Sequence, residues 1–381
     1  MSAQIRLPGR QAPLVIDDQG GGRGGWDGPG GYPPPASRSV YAAAHVAAGP
    51  GGGIDWESTL AFRDFLWDYG FGVAEAMDTA QRGMGLSWAQ AQELITRSAA
   101  RAAERGAVIA CGAGTDQLAP GRHPLAAIVA AYQAQLDLVQ SAGAGVILMA
   151  SRALAASAGS GQDYLDVYGH LLHQAGRPVI LHWLGTAFDP ALAGYWGADG
   201  FEAAADLVIR LIENAEGKVA GIKLSVLDAR HEVALRRRLP PGVRLYTGDD
   251  FHYDQLIRGD GQGHSDALLG AFAAVTAPAA AALHALDAGD LAGYDAAIGP
   301  TMPLSRVIFE APTFRYKAGI AFLAWLNGLQ PHFAMLGRLQ EQRSPEHLCR
   351  VFELAAAAGA LLAPELAVGR MTEYLAAAAA S

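Results

Sequence analysis

The fold of this chain is decided by one short stretch, Val219-Ala220-Gly221-Ile222-Lys223-Leu224-Ser225. The stretch is strand-like, and alternate side chains of a strand point to opposite faces. Ile222 and Leu224 therefore share one face, while Lys223 lies on the other. Helical patterns, with apolar residues three and four positions apart, cover 200–214 before it and 229–238 after it. A strand between two helices indicates a parallel β/α arrangement.

The same unit repeats on both sides of this stretch. Strand-like apolar runs occur at 39–46, 71–77, 107–111, 146–150, 178–184, 219–226, 243–247 and 261–268. Helical patterns fill the gaps at 56–69, 87–105, 124–141, 163–174, 200–214 and 229–238, with a shorter one at 253–258. Eight strands alternating with helices predict an α/β fold of the (β/α)8 TIM-barrel type. A doubly wound open sheet is the alternative, but the phosphate fingerprint expected after its first strand is absent from the sequence.

The pattern changes at both ends of this repeat. Residues 1–37 are rich in glycine and proline, and they predict an irregular lead-in with little core of its own. Beyond residue 270 the patterns become almost wholly helical. We therefore predict three regions: the lead-in at 1–37, the barrel at 38–270, and a C-terminal helical region at 271–381 that packs on the barrel.

Composition excludes several classes of protein. The chain has 381 residues, 51% of them hydrophobic, and a formal net charge of -9, so it can build a large core but lacks a basic surface for nucleic acid. No apolar run reaches the roughly 18 residues of a membrane-spanning helix, and no secretory signal is visible. Cys111 and Cys349 fit neither a disulfide framework nor a metal-ligand motif. We expect a soluble cytoplasmic protein that binds neither nucleic acid nor membranes.

Lysine is rare in this chain. Of 28 basic residues only three are lysines, namely Lys218, Lys223 and Lys317. Lys218 falls at a predicted helix-to-strand turn and Lys317 in the C-terminal helices, so we expect both at the surface. Lys223 is expected to face the barrel lumen, where burial favours a neutral amine that can attack a carbonyl carbon. A structural lysine paired with Asp249 or Asp250 is the alternative.

Polar residues gather at the predicted carboxyl ends of the strands, where TIM barrels place reactive groups. In chain order these positions include His45, Asp78, Thr79, Gln81, Arg82, Asp116, Ser151, Arg152, His182, Lys223, Ser225, Gly248, Asp249 and His264. Only 17% of all residues are charged, so this concentration of polar groups predicts an active site at that end of the barrel.

Two motifs carry a resemblance to a known superfamily. Gly221-Ile222-Lys223 lies on the sixth strand, and Tyr246-Thr247-Gly248-Asp249-Asp250 follows about 25 residues later. A very short seventh helix and a glycine-rich run come next, and 309–317 resembles a C-terminal helical signature. Over roughly residues 38–330 the chain resembles the dihydrodipicolinate synthase/N-acetylneuraminate lyase superfamily of class I aldolases, most closely its uncharacterised branch of unknown function.

The resemblance implies a (β/α)8 barrel with C-terminal helices and a lysine that forms a Schiff base with a 2-oxo acid, which is the role of Lys223 by position. His182 replaces the family tyrosine that transfers protons on strand five. The family segment Gly-Thr-Thr-Gly-Glu, which binds the substrate carboxylate, is replaced by 78–81. Ser151 and Arg152 stand where the family has a tyrosine pair after strand four. The nucleophile is thus kept, whereas the carboxylate clamp is not kept in recognisable form.

The resulting hypothesis is a Schiff-base aldolase, a carbon-carbon or carbon-oxygen lyase that acts on a keto acid or a sugar-derived carbonyl compound. Lys223 is the nucleophile, His182 the acid and base, and Thr79 part of the proton relay. No cofactor is expected beyond the imine on Lys223. The expected partners are a small carbonyl substrate and further copies of the chain, as a homodimer or homotetramer. The residues expected to bind substrate are Asp78, Gln81, Ser151, Arg152, Gly248, Asp249 and His264.

Two other functions stay open. His45, His182, His252 and His264 fall near predicted strand ends, so a divalent metal could serve a lyase, isomerase or hydrolase there. Against this, the sequence contains no short metal-ligand motif of the His-Glu-x-x-His kind. The chain could also be a non-catalytic descendant that binds a ligand, which the lost tyrosine and carboxylate motifs favour.

Overall fold

The computed structural model describes residues 3–16, 27–77 and 81–380. Two short strands, β1 (Ala3–Ile5) and β2 (Leu14–Ile16), form an antiparallel pair. Eight further strands close a barrel in chain order, with the last returning to the first: β3 (Val40–Ala43), β4 (Gly72–Glu75), β5 (Ile109–Ala113), β6 (Gly145–Leu148), β7 (Val179–Leu184), β8 (Val219–Ser225), β9 (Arg244–Thr247) and β10 (Asp266–Leu269). The predicted (β/α)8 TIM barrel is confirmed, and the closed order excludes an open doubly wound sheet.

Helices alternate with the barrel strands and then continue alone. The alternating helices are α1 (Trp56–Asp68), α2 (Trp88–Arg105), α3 (Leu125–Ser141), α4 (Arg152–Ser157), α5 (Gly161–Gln174), α6 (Phe201–Asn214), α7 (Ala229–Arg236) and α8 (Tyr253–Arg258). After β10 come α9 (Thr276–Asp287), α10 (Leu291–Ile298), α11 (Thr301–Ile308), α12 (Lys317–Leu326), α13 (Pro345–Ala357) and α14 (Pro364–Ala379). The predicted additional C-terminal helices are confirmed. Within the described chain no helix is both long and apolar enough to cross a bilayer.

Local sequence signals determine where the helices begin and end. Helix α1 begins after Asp55, whose carboxylate accepts a hydrogen bond from the amide of Ser58 at 3.0 Å. Helix α2 begins with a capping box formed by Ser87 and Gln90, and it ends at Gly106 in a left-handed conformation. Such caps satisfy the amide and carbonyl groups that a helix leaves unpaired at its ends.

The strands that carry the candidate site are buried on both faces, as in other parallel sheets covered by helices. Every residue of β7 is buried, and so is every residue of β8 except Ala220. The two strands pair in parallel, with His182 beside Lys223 and Leu184 beside Ser225. A slip of one residue would turn each of these side chains to the opposite face. The register of β7 and β8 therefore positions the lysine.

The chain divides into two compact units. One unit is Gly72–Leu269, with strands β4 to β10 and the helices between them. The other consists of the described residues up to Phe71 together with those from Gly270 onwards. This division groups β3 and α1 with the C-terminal helices. Its boundaries therefore differ from those of the predicted regions 1–37, 38–270 and 271–381. The three regions stay a prediction.

The lead-in predicted to be irregular contains the pair β1–β2, which the sequence analysis missed. Ala3 lies opposite Ile16, and Ile5 lies opposite Leu14. Ala3, Ile5 and Ile16 are buried, and β1 contacts α14 of the same unit. Strands of three residues are too short for an alternating pattern to be recognised in the sequence.

The expectation that Lys317 lies at the surface is wrong. The residue is 1% exposed, and its Nζ donates hydrogen bonds to the carbonyl oxygens of Ala43 at 2.8 Å and Ala44 at 3.2 Å. In the same unit Arg63 donates to the carbonyl oxygen of His45. Two buried cations thus satisfy carbonyl groups at the end of β3 and just beyond it. Because these contacts join residues far apart in the chain, no local pattern indicates them.

Candidate active site

The amine of Lys223 is buried in the unit Gly72–Leu269. Lys223 is 6% exposed, and its Nζ lies 3.9 Å from the sulfur atom of Met77, just beyond β4. Lys218 differs, because it is only partly buried and its Nζ donates to the carbonyl oxygen of Ala175 at 2.7 Å. Burial of a lysine is costly unless its amine is paired, neutral or functional.

His182 lies beside Lys223 on the adjacent strand. It is 3% exposed, its Nε2 lies 3.3 Å from the hydroxyl oxygen of Ser225, and its buried Nδ1 has no hydrogen-bond partner in the described part of the chain. Burial is the larger cause that holds the pKa of His182 well below its usual value, and the charged form of Lys223 adds to this effect. The imidazole is therefore neutral at pH 7 and can accept a proton.

Gly248 packs directly against these residues. Its amide donates to the carbonyl oxygen of Leu224 at 2.8 Å. A Cβ atom at this position would lie 2.7 Å from Cε of Lys223 and 2.1 Å from Oγ of Ser225. Only glycine allows the chain after β9 to approach β8 this closely.

Asp249 has a local hydrogen-bonding role. Its Oδ2 lies 2.9 Å from Nδ1 of His252, and its Oδ1 accepts a hydrogen bond from the amide of Phe251 at 2.8 Å. Its own amide donates to Oγ1 of Thr247 at 3.2 Å. The carboxylate thus shapes the turn between β9 and α8, and both of its oxygens are engaged there rather than with Lys223. Its predicted part in substrate binding stays a prediction.

Glu232 on α7 is a buried carboxyl group that supports the same turn. Its Oε2 accepts a hydrogen bond from Thr247 at 3.0 Å, and its Oε1 accepts one from Ser265 at 2.7 Å. Burial raises the pKa of Glu232 to about 8, although both hydrogen bonds act in the opposite direction. The carboxyl group is therefore mostly protonated at pH 7.

Arg82 is buried, and all five of its N–H donors are engaged. Nη1 donates to the carbonyl oxygens of Ala76 and Gly112, each at 3.0 Å. Nε donates to Asp116 at 3.2 Å, while Nη2 donates to Asp116 and to Oε1 of Gln135, the latter at 2.6 Å. A guanidinium has five such donors, so Arg82 has none left for a substrate carboxylate. Arg82 instead joins the segments that follow β4 and β5.

A cavity of about 380 Å³ lies beside this network. Its polar and charged lining residues are Arg82, Thr115, Asp116, Ser151 and Arg152, and most of its other lining residues are glycine, alanine, proline and leucine. Ser151 caps α4 by accepting a hydrogen bond from the amide of Leu154 at 3.0 Å. The volume lies within the range of small-molecule sites, about 300–1,000 Å³.

The structure brings part of the predicted site together. Lys223, His182 and Gly248 form one buried cluster, and Ser151 and Arg152 line one cavity. Their predicted roles stay predictions.

The remaining predicted residues after strand β4 are described only in part. Asp78 and Thr79 lie outside the described residues. Gln81 is described and buried, and its carbonyl oxygen accepts hydrogen bonds from the amides of Met84 and Leu86, each at 3.0 Å. The proposed relay through Thr79 and the contacts of Asp78 and Gln81 with substrate stay predictions.

The prediction that His264 lies at the carboxyl end of a strand is wrong. Strand β10 begins only at Asp266, so His264 precedes the strand, and it is exposed there. Asp266 pairs at 2.8 Å with Arg244, the first residue of β9, which marks the amino-terminal end of both strands. The glycine-rich run before β10 made the strand appear to begin earlier. His264 is therefore removed from the substrate-binding set.

The described residues offer no ligand set for the metal-dependent alternative. Among them, no group of three or more His, Cys, Asp or Glu side chains could hold a metal ion. Nε2 of His45 lies 2.6 Å from Oε1 of Gln330, and burial lowers the pKa of His45 to about 3. His252 is engaged by Asp249.

Three contacts at the site involve residues to which the sequence analysis gave no role. Ser225 contacts the imidazole, Met77 contacts the amine, and Thr115 lies 2.6 Å from Ser151 between their hydroxyl oxygens. Ser225 shares a strand face with Lys223, so the period of two was a usable signal. Met77 and Thr115 meet their partners across strands, and no local pattern indicates such contacts.

Comparisons with known proteins agree with the fold. A family model described as a protein of unknown function, DUF993, matches residues 28–379. Solved structures with the same fold include dihydrodipicolinate synthase from Thermotoga maritima, with a TM-score of 0.65 at 14% identity over 86% of this chain and 100% of that one. Another is the chloride-inhibited dihydrodipicolinate synthase from Acinetobacter baumannii complexed with pyruvate, with a TM-score of 0.63 at 17% identity over 85% and 99%. A search of curated proteins finds no match. The similarity to dihydrodipicolinate synthases is thereby confirmed at the level of the fold, and the match to a family of unknown function agrees with the expected branch.

Replacement of Gly248 by alanine tests the close approach. We expect Gly248→Ala to destabilise the protein by about 1–3 kcal/mol, because the added methyl group overlaps Ser225 and Lys223. Gly114→Ala is the matched control, since its Cβ would meet no atom nearer than 3.7 Å. Urea denaturation of both variants measures the difference. Equal stability of the two variants would contradict the close packing described here.

Glu232 predicts a pH dependence of stability. Its folded pKa of about 8 exceeds the ordinary 4.5, so the folded protein keeps a proton that the unfolded chain has released. Its stabilising contribution is therefore complete below pH 4.5 and is lost as the pH rises through about 8, at about 1.4 kcal/mol per pH unit. Glu232→Gln should lack this loss, whereas Glu213→Gln, on the exposed side of α6, should keep it. Urea denaturation at several pH values measures the free energy of unfolding. Parallel plots of this free energy against pH for wild type and Glu232→Gln would contradict the assignment.

Proposed function

We propose, for a chain that belongs to the family DUF993, the chemistry of a Schiff-base (class I) aldolase or lyase. The substrate is a keto acid or a sugar-derived carbonyl compound. The fold that the chain shares with dihydrodipicolinate synthases supports an aldolase or lyase. The proposal includes a cytoplasmic homodimer or homotetramer and no cofactor beyond the imine.

One observation carries the proposal, namely a buried amine beside a neutral imidazole. Lys223 is 6% exposed, and His182 lies next to it in register on the neighbouring strand. Burial disfavours charge on both groups, and a neutral amine is the form that attacks a carbonyl carbon. Buried titratable pairs of this kind occur preferentially at functional sites.

The reaction follows from the chemistry of the amine. The nitrogen of Lys223 attacks the carbonyl carbon, a carbon–nitrogen bond forms, and the carbonyl oxygen takes a proton. That oxygen, which takes one proton from the attacking nitrogen and a second from solvent, leaves as water, and this gives a protonated imine. In carbon–carbon cleavage the imine accepts the electron pair of the bond that breaks at the neighbouring carbon, and an enamine results. In carbon–oxygen cleavage the imine instead accepts the electron pair of a carbon–hydrogen bond at the neighbouring carbon, and the enamine then expels the oxygen, with its electron pair, from the next carbon along, which leaves an unsaturated imine for hydrolysis. Protonation of the enamine and hydrolysis by one water return the free amine and release the carbonyl product.

His182 is the proposed acid and base of these steps. Its lowered pKa keeps the imidazole neutral at pH 7, so a ring nitrogen has a lone pair available, and His182 first removes a proton from the hydroxyl group or carbon whose bond breaks. The imidazolium so formed then protonates the enamine, which returns His182 to its neutral state. Ser225, 3.3 Å from Nε2, orients the ring. Residues 78–81 supply Thr79 to the relay and, with Asp78 and Gln81, contact the substrate.

Trapping with borohydride tests the nucleophile. Incubation with a panel of 2-oxo acids and keto sugars, followed by borohydride, should add the mass of one substrate less one oxygen atom to the intact protein. Peptide mapping should find the adduct on Lys223. Lys223→Arg should abolish the adduct, whereas Lys218→Arg, the matched control, should keep it.

The alternatives give other results. An adduct retained by Lys223→Arg would contradict the assigned nucleophile. Failure to trap any carbonyl compound on wild type would favour a ligand-binding descendant. Activity that survives in Lys223→Ala but is lost to a chelator would favour the metal-dependent enzyme.

Replacement of His182 tests proton transfer separately from imine formation. His182→Gln should still be trapped by borohydride, because the amine is intact. The variant should also be mixed, without borohydride, with the 2-oxo acid that trapping identified. The rate at which it exchanges the C3 protons of that acid with deuterated water should fall by about 10²–10⁴-fold. His173→Gln, at the exposed end of α5, is the control and should exchange at the wild-type rate. NMR measures the exchange, and an unchanged rate in His182→Gln would assign the proton transfer to another group.

A further inference from the structure

The cavity between the ends of β5 and β6 is lined by two arginines, Arg82 and Arg152, and Lys223 is not part of its lining. Its lining includes residues that follow both strands, among them Thr115 and Ser151. Arg82 cannot bind a ligand there, because its five N–H donors are engaged by protein groups. Arg152 differs from it in this respect.

Arg152 is held by one edge of its guanidinium. Its Nε donates to Oδ2 of Asp189 at 2.6 Å, and Asp189 is itself buried and fixed by the amide of Ala191 at 3.1 Å. The terminal nitrogens Nη1 and Nη2 of Arg152 have no hydrogen-bond partner among the described residues, 3–16, 27–77 and 81–380. An arginine anchored through Nε presents its two terminal nitrogens in a plane, the geometry that binds carboxylate and phosphate groups.

The hydroxyl pair in the lining supplies a further donor. Oγ1 of Thr115 and Oγ of Ser151 lie 2.6 Å apart, so one of the two hydroxyl hydrogens forms the bond between them. Ser151 also accepts a hydrogen bond from the amide of Leu154, which uses no hydroxyl hydrogen. When Ser151 is the donor within the pair, Thr115 keeps its hydroxyl hydrogen, and no described residue accepts it. When Thr115 is the donor, Ser151 can donate to Tyr132 instead.

Apart from Asp116, whose carboxylate is paired with Arg82, the remaining lining is apolar, and two methionines lie between it and the amine. Met149 lines the cavity, and a Cβ at Gly112 would lie 2.5 Å from the sulfur of Met149 and 2.7 Å from Cα of Met77. The sulfur of Met77 in turn lies 3.9 Å from the amine of Lys223. Methionine side chains adapt readily to a bound group, so a ligand in the cavity is separated from the amine by adaptable side chains.

We propose that this cavity binds the anionic end of the substrate, a carboxylate or phosphate held by Arg152 and the Thr115–Ser151 pair, with the substrate's apolar body against the alanine, leucine and proline lining. The substrate class is therefore a carbonyl compound that carries a remote anionic group on an apolar chain or ring. The assignment to substrate rests on the proposed function; the anion site itself does not.

Binding of simple anions tests the site without any imine chemistry. The probes are phenylacetate, phenyl phosphate and the neutral benzyl alcohol, titrated into the full chain by calorimetry. We expect at least one anion to bind wild type more tightly than benzyl alcohol does, and the better anion distinguishes a carboxylate from a phosphate site. Arg152→Gln should weaken that anion by about 10- to 100-fold, the usual contribution of a charged hydrogen bond.

Two further variants test whether the anion binds in the cavity and whether the loss of any arginine would weaken it. Ala156→Trp fills the cavity from the exposed side of α4 without removing the charge, and it should weaken the same anion at least as much. Arg97→Gln removes an exposed arginine that pairs with Glu93 on α2, and it should bind the anion as wild type does. If Arg152→Gln fails to fold because Asp189 is left unpaired, Ala156→Trp alone decides the outcome.

Several results would overturn the proposal: no binding of either anion to wild type, equal affinity for benzyl alcohol, or unchanged affinity in Ala156→Trp. The two proposals fail separately. Anion binding by a protein that traps no carbonyl compound would refute the imine function alone. Trapping on Lys223 by a protein that binds neither anion would refute the cavity alone.

Discussion

The pairing of β7 with β8 is the constraint on which the candidate site depends. It sets the imidazole of His182 beside the amine of Lys223 and brings Ser225 within reach of the ring. The pairing is sensitive to register, because a shift of one residue exchanges the two faces of a strand. Gly248 adds a steric condition, since no side chain fits between β8 and the turn that follows β9. Helices, caps and turns around the barrel preserve that alignment.

Three cationic side chains, two of them buried and one exposed, have different roles in this structure. Arg82 uses every donor to hold two loops and a carboxylate, so it acts as a structural cation. Lys317 acts on backbone carbonyls beyond β3. Arg152 is held along one edge and keeps the other edge available. The residue type alone does not distinguish a structural cation from one that can bind a ligand. The number of its N–H donors that already bond to the protein does.

The fold could be predicted from the sequence because it is encoded locally and repeatedly. Alternating strands and helices gave the barrel, and the period of two gave the burial of Lys223. The failures at Lys317 and Arg82 involve information that is not local. The burial of Lys317 depends on a contact with residues near position 43, and the start of β10 was obscured by the glycines before it. The engagement of Arg82 depends on a glutamine on α3. The sequence could indicate which polar residues lie near strand ends. It could not indicate which of their hydrogen-bond donors remain available to a ligand.

The scarcity of lysine has a practical consequence for spectroscopy. A chain with three lysines gives three side-chain amine signals when lysine alone carries nitrogen-15, and the three have different surroundings: Lys218 is partly buried, while Lys223 and Lys317 are buried in different units. A pH titration that monitors these signals reports the protonation of each amine directly. Signal overlap, which is severe for a uniformly labelled protein of this size, is avoided. Lys317, bonded to two carbonyl oxygens, provides an internal reference for a buried amine that donates to the backbone.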